Sequence, residues 1–247
     1  MSVCLVTIAV GKQYLSEYNR IFRPSQEFYA RKHGYDFRVI TDYLGHVRDL
    51  STVSLNKILV CSQSWSSAYD FVVFVDADIL INPAAGPIHA CMDFGDNIGI
   101  VDEFSQPSFD KRVEFARRMK WDLSPSIYYG SSGFVIQTSK MLNTGVLVMQ
   151  PKKHGPFLKG VYDKYIQASI HHPKGFNYEQ SAIGYELQIN NMFIVLPNTW
   201  NAVAVLYQYE PDFTLESFSN TVNFLHFAGL AANNGERKTY NIRALYK

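Results

Sequence analysis

The chain has 247 residues, 23 basic against 22 acidic, for a formal charge of +1, so no global field recruits nucleic acid or an anionic membrane and any anion site is local. That length suffices for one large core, and the aromatic share of 15% leaves rings for stacking on sugars or bases once the core is filled. Cys4, Cys61 and Cys91 show no CxxC spacing and read as free thiols rather than a disulfide framework or a zinc site.

Val3 to Val10 reads as the first strand. It lacks a basic leader and, like every other apolar run here, falls short of the roughly 20 residues of a membrane span, so a soluble, cytoplasmic protein is expected unless the chain is a piece of something longer. Tyr14, Tyr18, Ile21 and Phe22 follow at helical spacing, Pro24 imposes a kink or a new start before Phe28 and Tyr29, and Gly34 ends the segment. Phe37 to Thr41 is a second strand. A helix from about Thr52 to Ser64 turns Leu55, Ile58 and Leu59 inward and leads to a third strand, Phe71 to Val75, whose continuous apolar run is that of a strand buried on both faces. This alternation predicts parallel pairing with right-handed crossovers, a nucleotide-binding type of half-fold.

The rhythm then changes. Asn97 to Val101 reads as a strand, Phe109 to Lys120 as a polar, basic helix, and Asp122 to Ser132, rich in Ser, Pro, Tyr and Gly, as a mobile surface loop. Strands are expected at Phe134 to Thr138 and Thr144 to Met149, helices near Phe157 to Ile170 and Glu179 to Leu187, and closing strands at Met192 to Leu196 and Val222 to Phe227. No internal repeat or low-complexity linker divides the chain.

The third strand delivers Asp76-Ala77-Asp78 at its carboxyl end, the edge where open α/β sheets bind ligands. Two carboxylates one residue apart on a rigid strand end are hard oxygen ligands for Mg²⁺ or Mn²⁺, which in turn can hold a diphosphate. Thr7 to Gly11 ends the first strand, Lys57 lies near the start of the second helix, and His226 and Gly229 end the last strand, so parallel strands bring these to one crevice. Taken singly they are ambiguous. His226 is a metal ligand or a core imidazole bound to a carbonyl, Lys57 a diphosphate partner or a solvated lysine, and Gly11 a point of close backbone approach or a tight turn. Asp102 with Glu103, and Glu179 with Gln180, contact a sugar or serve as caps and surface charge.

Together these pieces resemble the GT-A class of nucleotide-sugar glycosyltransferases, and most closely the retaining family 8, which includes glycogenin and bacterial lipopolysaccharide glycosyltransferases. The resemblance is carried by Val6-Thr7-Ile8-Ala9-Val10-Gly11 with Tyr14, Leu55-Asn56-Lys57, Phe74-Val75-Asp76-Ala77-Asp78, Leu142-Asn143-Thr144-Gly145-Val146-Leu147-Val148, Glu179-Gln180-Ser181 and Leu225-His226-Phe227-Ala228-Gly229, in the family's order over nearly the whole chain. It implies an α/β fold of GT-A type, a Rossmann-like, mixed and mostly parallel sheet flanked by helices. One domain over residues 1–247 is expected, its nucleotide-binding half to about 102 and its acceptor and sugar half from about 103.

The resemblance also implies roles. Asp76, Asp78 and His226 hold Mn²⁺ or Mg²⁺, Asp76 with Ala77 also meeting the nucleoside. Thr7, Ile8 and Ala9 frame the uridine with Gly11 and Tyr14 beside them, and Lys57 and Gly229 lie against the donor. Asn143 and Gly145 sit near the donor sugar, Glu179 and Gln180 beside the reacting face. The family's lysine after the histidine-glycine segment is replaced by Leu230 to Gly235, with Arg237 or Lys238 as shifted substitutes, and the long insert between Asp102 and Asn143 is expected to serve the acceptor.

The implied activity is transfer of a sugar from a UDP-sugar to a hydroxyl of a glycan or glycoprotein with retention, as in bacterial or large-DNA-virus enzymes of glycan biosynthesis. An inverting route needs Glu103 or Asp102 as base. The alternatives are a nucleotide-sugar or glycan-binding module without turnover, a nucleotidyltransferase, which lacks its glycine-rich basic loop after Val10, and a haloacid dehalogenase-type phosphatase, whose Asp-X-Asp follows the first strand rather than the third. The composition does not specify an oligomeric state.

Overall fold

The computed structural model describes residues 1–208, 210 and 213–228. Its centre is a six-stranded sheet of β1 (Val3–Ile8), β2 (Asp36–Ile40), β3 (Phe71–Val75), β5 (Ile98–Asp102), β6 (Leu142–Met149) and β7 (Phe193–Leu196), in the order β2-β1-β3-β6-β5-β7. The β2, β1 and β3 strands pair in parallel, as do β5 and β7, and β6 alone runs against its neighbours β3 and β5. β4 (Ile79–Ile81), β8 (Ala202–Val203) and β9 (Phe224–His226) form a separate small sheet, in the order β4-β9-β8.

The apolar run of β3 is explained by burial on both faces. Val72 and Phe74 join a core with Leu55, Ile58, Tyr162 and Ile183, while Val73 and Val75 join another with Tyr29, Ile79, Trp200 and Phe224. Each such side chain withdrawn from water contributes about 1.5–3 kcal/mol. The first face is covered by a 3-10 helix (Leu50–Ser62), α5 (Pro151–Ile170) and α6 (Tyr178–Ile189), the second by α2 (Arg23–His33) and the small sheet. Between β1 and α2 lies α1 (Lys12–Ile21), with Pro24 in the first turn of α2 and Gly34 ending it at φ 66°.

Four expectations are corrected. The segment from Leu50 to Ser62 buries Leu55, Ile58 and Leu59 as expected but winds as a 3-10 helix. Phe134 to Thr138 forms no strand: β6 already has β3 on one side and β5 on the other, and Phe134 instead stacks on Tyr178 and Tyr185. The polar stretch from Asp122 folds as α4 (Pro125–Gly130), capped by the Ser124 side chain and anchored by fully buried Tyr129, after α3 (Phe109–Met119). The strand carrying His226 belongs to the small sheet, not to the large one. Among the described residues, no helix is long and apolar enough to cross a membrane.

Candidate functional site

Asp76 and Asp78 stand in a tight turn between β3 and β4. The Asp76 amide donates to the Gly145 carbonyl at 2.8 Å, extending the β3–β6 ladder by one residue, and Ile79 N donates back to Asp76 O at 3.2 Å. Gln26 of α2, fully buried, clamps the turn by donating to the carbonyls of Asp76 and Ile79 at 3.3 and 3.0 Å, its own oxygen held by the Tyr18 hydroxyl at 3.0 Å. The third residue arrives by a second ladder: β9 pairs antiparallel with β4 in the register Ile79↔His226, and Phe227 N donates to Asp78 O at 3.1 Å.

These ladders bring one ligand atom each of Asp76, Asp78 and His226 within 4.8 Å of one another. His226 Nε2 lies 3.3 Å from Asp78 Oδ1 and 3.8 Å from Asp76 Oδ2. Burial alone would lower the His226 pKa, but the two carboxylates outweigh it and raise it; burial likewise opposes the charge of Asp78, and the imidazole outweighs that and lowers its pKa. Two carboxylates and an imidazole, all partly or wholly withdrawn from water, fit a divalent cation of the Mn²⁺ or Mg²⁺ type.

Gly145 makes room for this. A Cβ there would lie 2.4 Å from His226 Cε1 and 2.6 Å from Nδ1, closer than atoms approach. Gly145→Ala is therefore expected to displace the imidazole and weaken Mn²⁺ binding about tenfold or more in calorimetric titration. Unchanged affinity would remove His226 from the ligand set.

Lys57 is not a surface lysine. Its ammonium, 3% exposed as a residue, bridges Asp76 Oδ1 at 3.0 Å and Glu179 Oε1 at 2.9 Å. Burial pushes its pKa down, yet the two carboxylates prevail and raise it; Glu179 is shifted up by burial, which outweighs Lys57 and the Thr144 hydroxyl 2.9 Å away. Thus Glu179 faces Lys57 and Thr144, while Gln180, half-buried, faces Glu103, its Nε2 3.4 Å from Oε2.

Asp102, expected beside the chemistry, is instead committed to backbone: its Oδ1 accepts the amides of Phe104 at 3.0 Å and Met141 at 2.9 Å, and burial raises its pKa against those bonds. Its neighbour Glu103 is the carboxylate that meets Gln180, Asn143 Nδ2 at 2.8 Å and Arg112 at 3.6 Å. Asn143 and Gly145 lie where antiparallel β6 starts, which is beside the end of β3.

Of the residues expected to frame a nucleotide, Thr7 is buried with an unpartnered hydroxyl, Ile8 ends β1, and buried Ala9 donates its amide to Ile40 O at 2.8 Å. Gly11 holds φ 98° at the start of α1, a conformation side chains resist. Tyr14 is 45% exposed within the fields of Asp78 and Asp76, and Ala77 is buried in the turn. Gly229, with Arg237 and Lys238, lies outside the described residues. The insert packs beside these residues, since the Ser132 hydroxyl after α4 donates to Ser181 Oγ at 2.9 Å, next to Gln180.

Sequence reasoning missed Asn201, Arg112 and Gln106. All three are buried polar side chains, and their only sequence signal is polarity in weakly patterned segments.

No protein-family model matches the chain, and no curated protein matches it in sequence. Solved structures do share its fold. One, a glycosyltransferase involved in the glycosylation of the major capsid of PBCV-1, superposes with a TM-score of 0.61 over 93% of this chain and 94% of that one, at 17% identity. The galactosyltransferase LgtC in complex with donor and acceptor sugar analogues gives 0.60 over 98% and 93%, at 15% identity. The bifunctional glycosyltransferase WbbM gives 0.59 over 92% of this chain and 46% of its own length, at 12% identity. The fold is thus the GT-A type of glycosyltransferases that the motifs resembled.

Proposed function

We propose that this chain is a metal-dependent, retaining glycosyltransferase that moves a sugar from a UDP-sugar to a hydroxyl of a glycan or glycoprotein. The observation that carries the reading is the Asp76, Asp78 and His226 cluster at the carboxyl end of β3, in a fold shared with glycosyltransferases, one of them solved with donor and acceptor sugar analogues. Asp76 and Asp78 would supply hard oxygen ligands and His226 the nitrogen. A bound divalent ion supplies electrostatic stabilisation of the diphosphate as it leaves.

Lys57 holds Asp76 and Glu179 in register, since its ammonium is already shared between them. Glu103 and Asn143 orient Gln180 toward the sugar. Retention is supported by the state of the carboxylates that could act as a base: Asp102 is held by backbone amides, Glu179 by Lys57 and Thr144, and Glu103 by Asn143, Gln180 and Arg112. The bond from the anomeric carbon to the diphosphate then breaks as that to the acceptor oxygen forms on the same face, and the leaving phosphate oxygen takes the acceptor proton.

A panel of UDP-sugars tests the reading. One of them is expected to be hydrolysed slowly with Mn²⁺ and not after chelation, and UDP with Mn²⁺ should stabilise the fold by about 2.7 kcal/mol at a hundred times its Kd. Turnover that resists chelator, or release of phosphate from simple phosphoesters instead, would overturn it.

A further inference from the structure

Behind His226 runs a chain of buried amides whose orientations are fixed from one end. Glu103 Oε2 is a carboxylate oxygen, so the Asn143 atom 2.8 Å from it is the donor Nδ2. Asn143 Oδ1 accordingly accepts, taking the Gly145 amide at 2.8 Å and Asn201 Nδ2 at 2.7 Å. With its nitrogen used there, Asn201 turns its oxygen to His226 Nδ1 at 2.8 Å. An oxygen only accepts, so Nδ1 carries the proton, and in the neutral ring the Nε2 lone pair faces Asp78 and Asp76.

Asn201 is 0% exposed and Asn143 3%, so water does not compete for these bonds. The backbone around Asn201 is set independently of its side chain. Gln106 Nε2 donates to the Asn201 carbonyl at 2.9 Å and Gln106 Oε1 accepts from Val203 N at 3.0 Å, while β8 pairs in parallel with β9 in the register Val203↔His226.

We propose that Asn201 is a positioning residue that locks His226 in the Nδ1–H tautomer and so presents the Nε2 lone pair to a divalent cation shared with Asp76 and Asp78. The inference rests on the metal-site reading above. Outer partners of this kind orient a histidine and tune its affinity, and their loss costs about ten- to a hundred-fold in metal binding.

Long-range ¹H–¹⁵N spectra of the metal-free protein, at a pH where the imidazole is neutral, read the tautomer directly. A protonated Nδ1 and an unprotonated Nε2 on His226 are expected, and the reverse overturns the proposal without any variant. Asn201→Leu should scramble the tautomer and weaken Mn²⁺ binding, followed by electron paramagnetic resonance of the free ion, by about ten- to a hundred-fold. Asn201→Asp keeps an acceptor opposite Nδ1, though it loses the donor to Asn143 Oδ1, and should keep the tautomer. Wild-type affinity in Asn201→Leu would overturn the role of Asn201 while leaving the metal site intact. Failure of the wild-type protein to bind Mn²⁺ would instead overturn the metal site. Should Asn201→Leu not fold, the wild-type and Asn201→Asp spectra decide.

Discussion

Asp78→Asn is expected to leave the fold in place and to lower Mn²⁺-dependent sugar transfer by about a hundred-fold or more. The amide is nearly isosteric and still meets His226, 3.3 Å away in the native protein, but it is a poorer ligand for a hard cation than a carboxylate. The ion is asked for several kcal/mol of transition-state stabilisation, and each 1.36 kcal/mol lost is a factor of ten. Circular dichroism and melting curves beside initial rates separate the two halves of the expectation. Full transfer activity in a folded variant would show that Asp78 is not a ligand.

Lys57→Met has the largest expected effect on stability. Its ammonium lies between Asp76 and Glu179, Glu179 being buried, and removing one member of such a group leaves uncompensated charge in a low dielectric, at a cost of about 3–5 kcal/mol. For a chain of this size that corresponds to a fall in Tm on the order of 10 °C. Urea denaturation measures it, and adding Glu179→Gln to the Lys57→Met variant should restore part of the loss by removing the stranded charge. A Lys57→Met protein as stable as wild type would mean that the ammonium offsets no buried charge in the native state.

Much of the fold was legible because burial dictates pattern. The runs in β1 and β3 are apolar except for Thr7 since both sheet faces are covered, and that signal needs no partner strand to be known. β4, β8 and β9 are two or three residues long, too short for any period to show, so the sequence reveals no second sheet and Val222 to Phe227 reads as a closing strand of the large one. Phe134 to Thr138 opens with the apolar run Phe-Val-Ile that suggests a strand, but Phe134 instead stacks on Tyr178 and Tyr185 of α6, and the segment pairs with no strand.

The site was legible where a motif directly follows one rigid strand, as Asp76 and Asp78 follow β3, and obscure where two chain-distant groups must meet. Of the adjacent acids, Asp102 and Glu103 differ in fate only because the first points at backbone amides and the second at Asn143 and Gln180. For His226, the sequence posed ligand against core residue as alternatives. In the structure the imidazole is buried at 3%, bonded to the Asn201 side chain on one side and facing both aspartates on the other, so burial does not by itself separate the two alternatives.

The register Ile79↔His226 joins a residue just past β3 to one that follows every strand of the large sheet, and backbone bonds rather than an ion draw the two together. The conformational entropy of closing that long loop is therefore met by folding itself. A cation entering between Asp78 and His226 would find both side chains already gathered, unlike the small metal-dependent domains in which binding free energy is folding free energy. On the proposed function, its affinity would then be available for gripping the diphosphate.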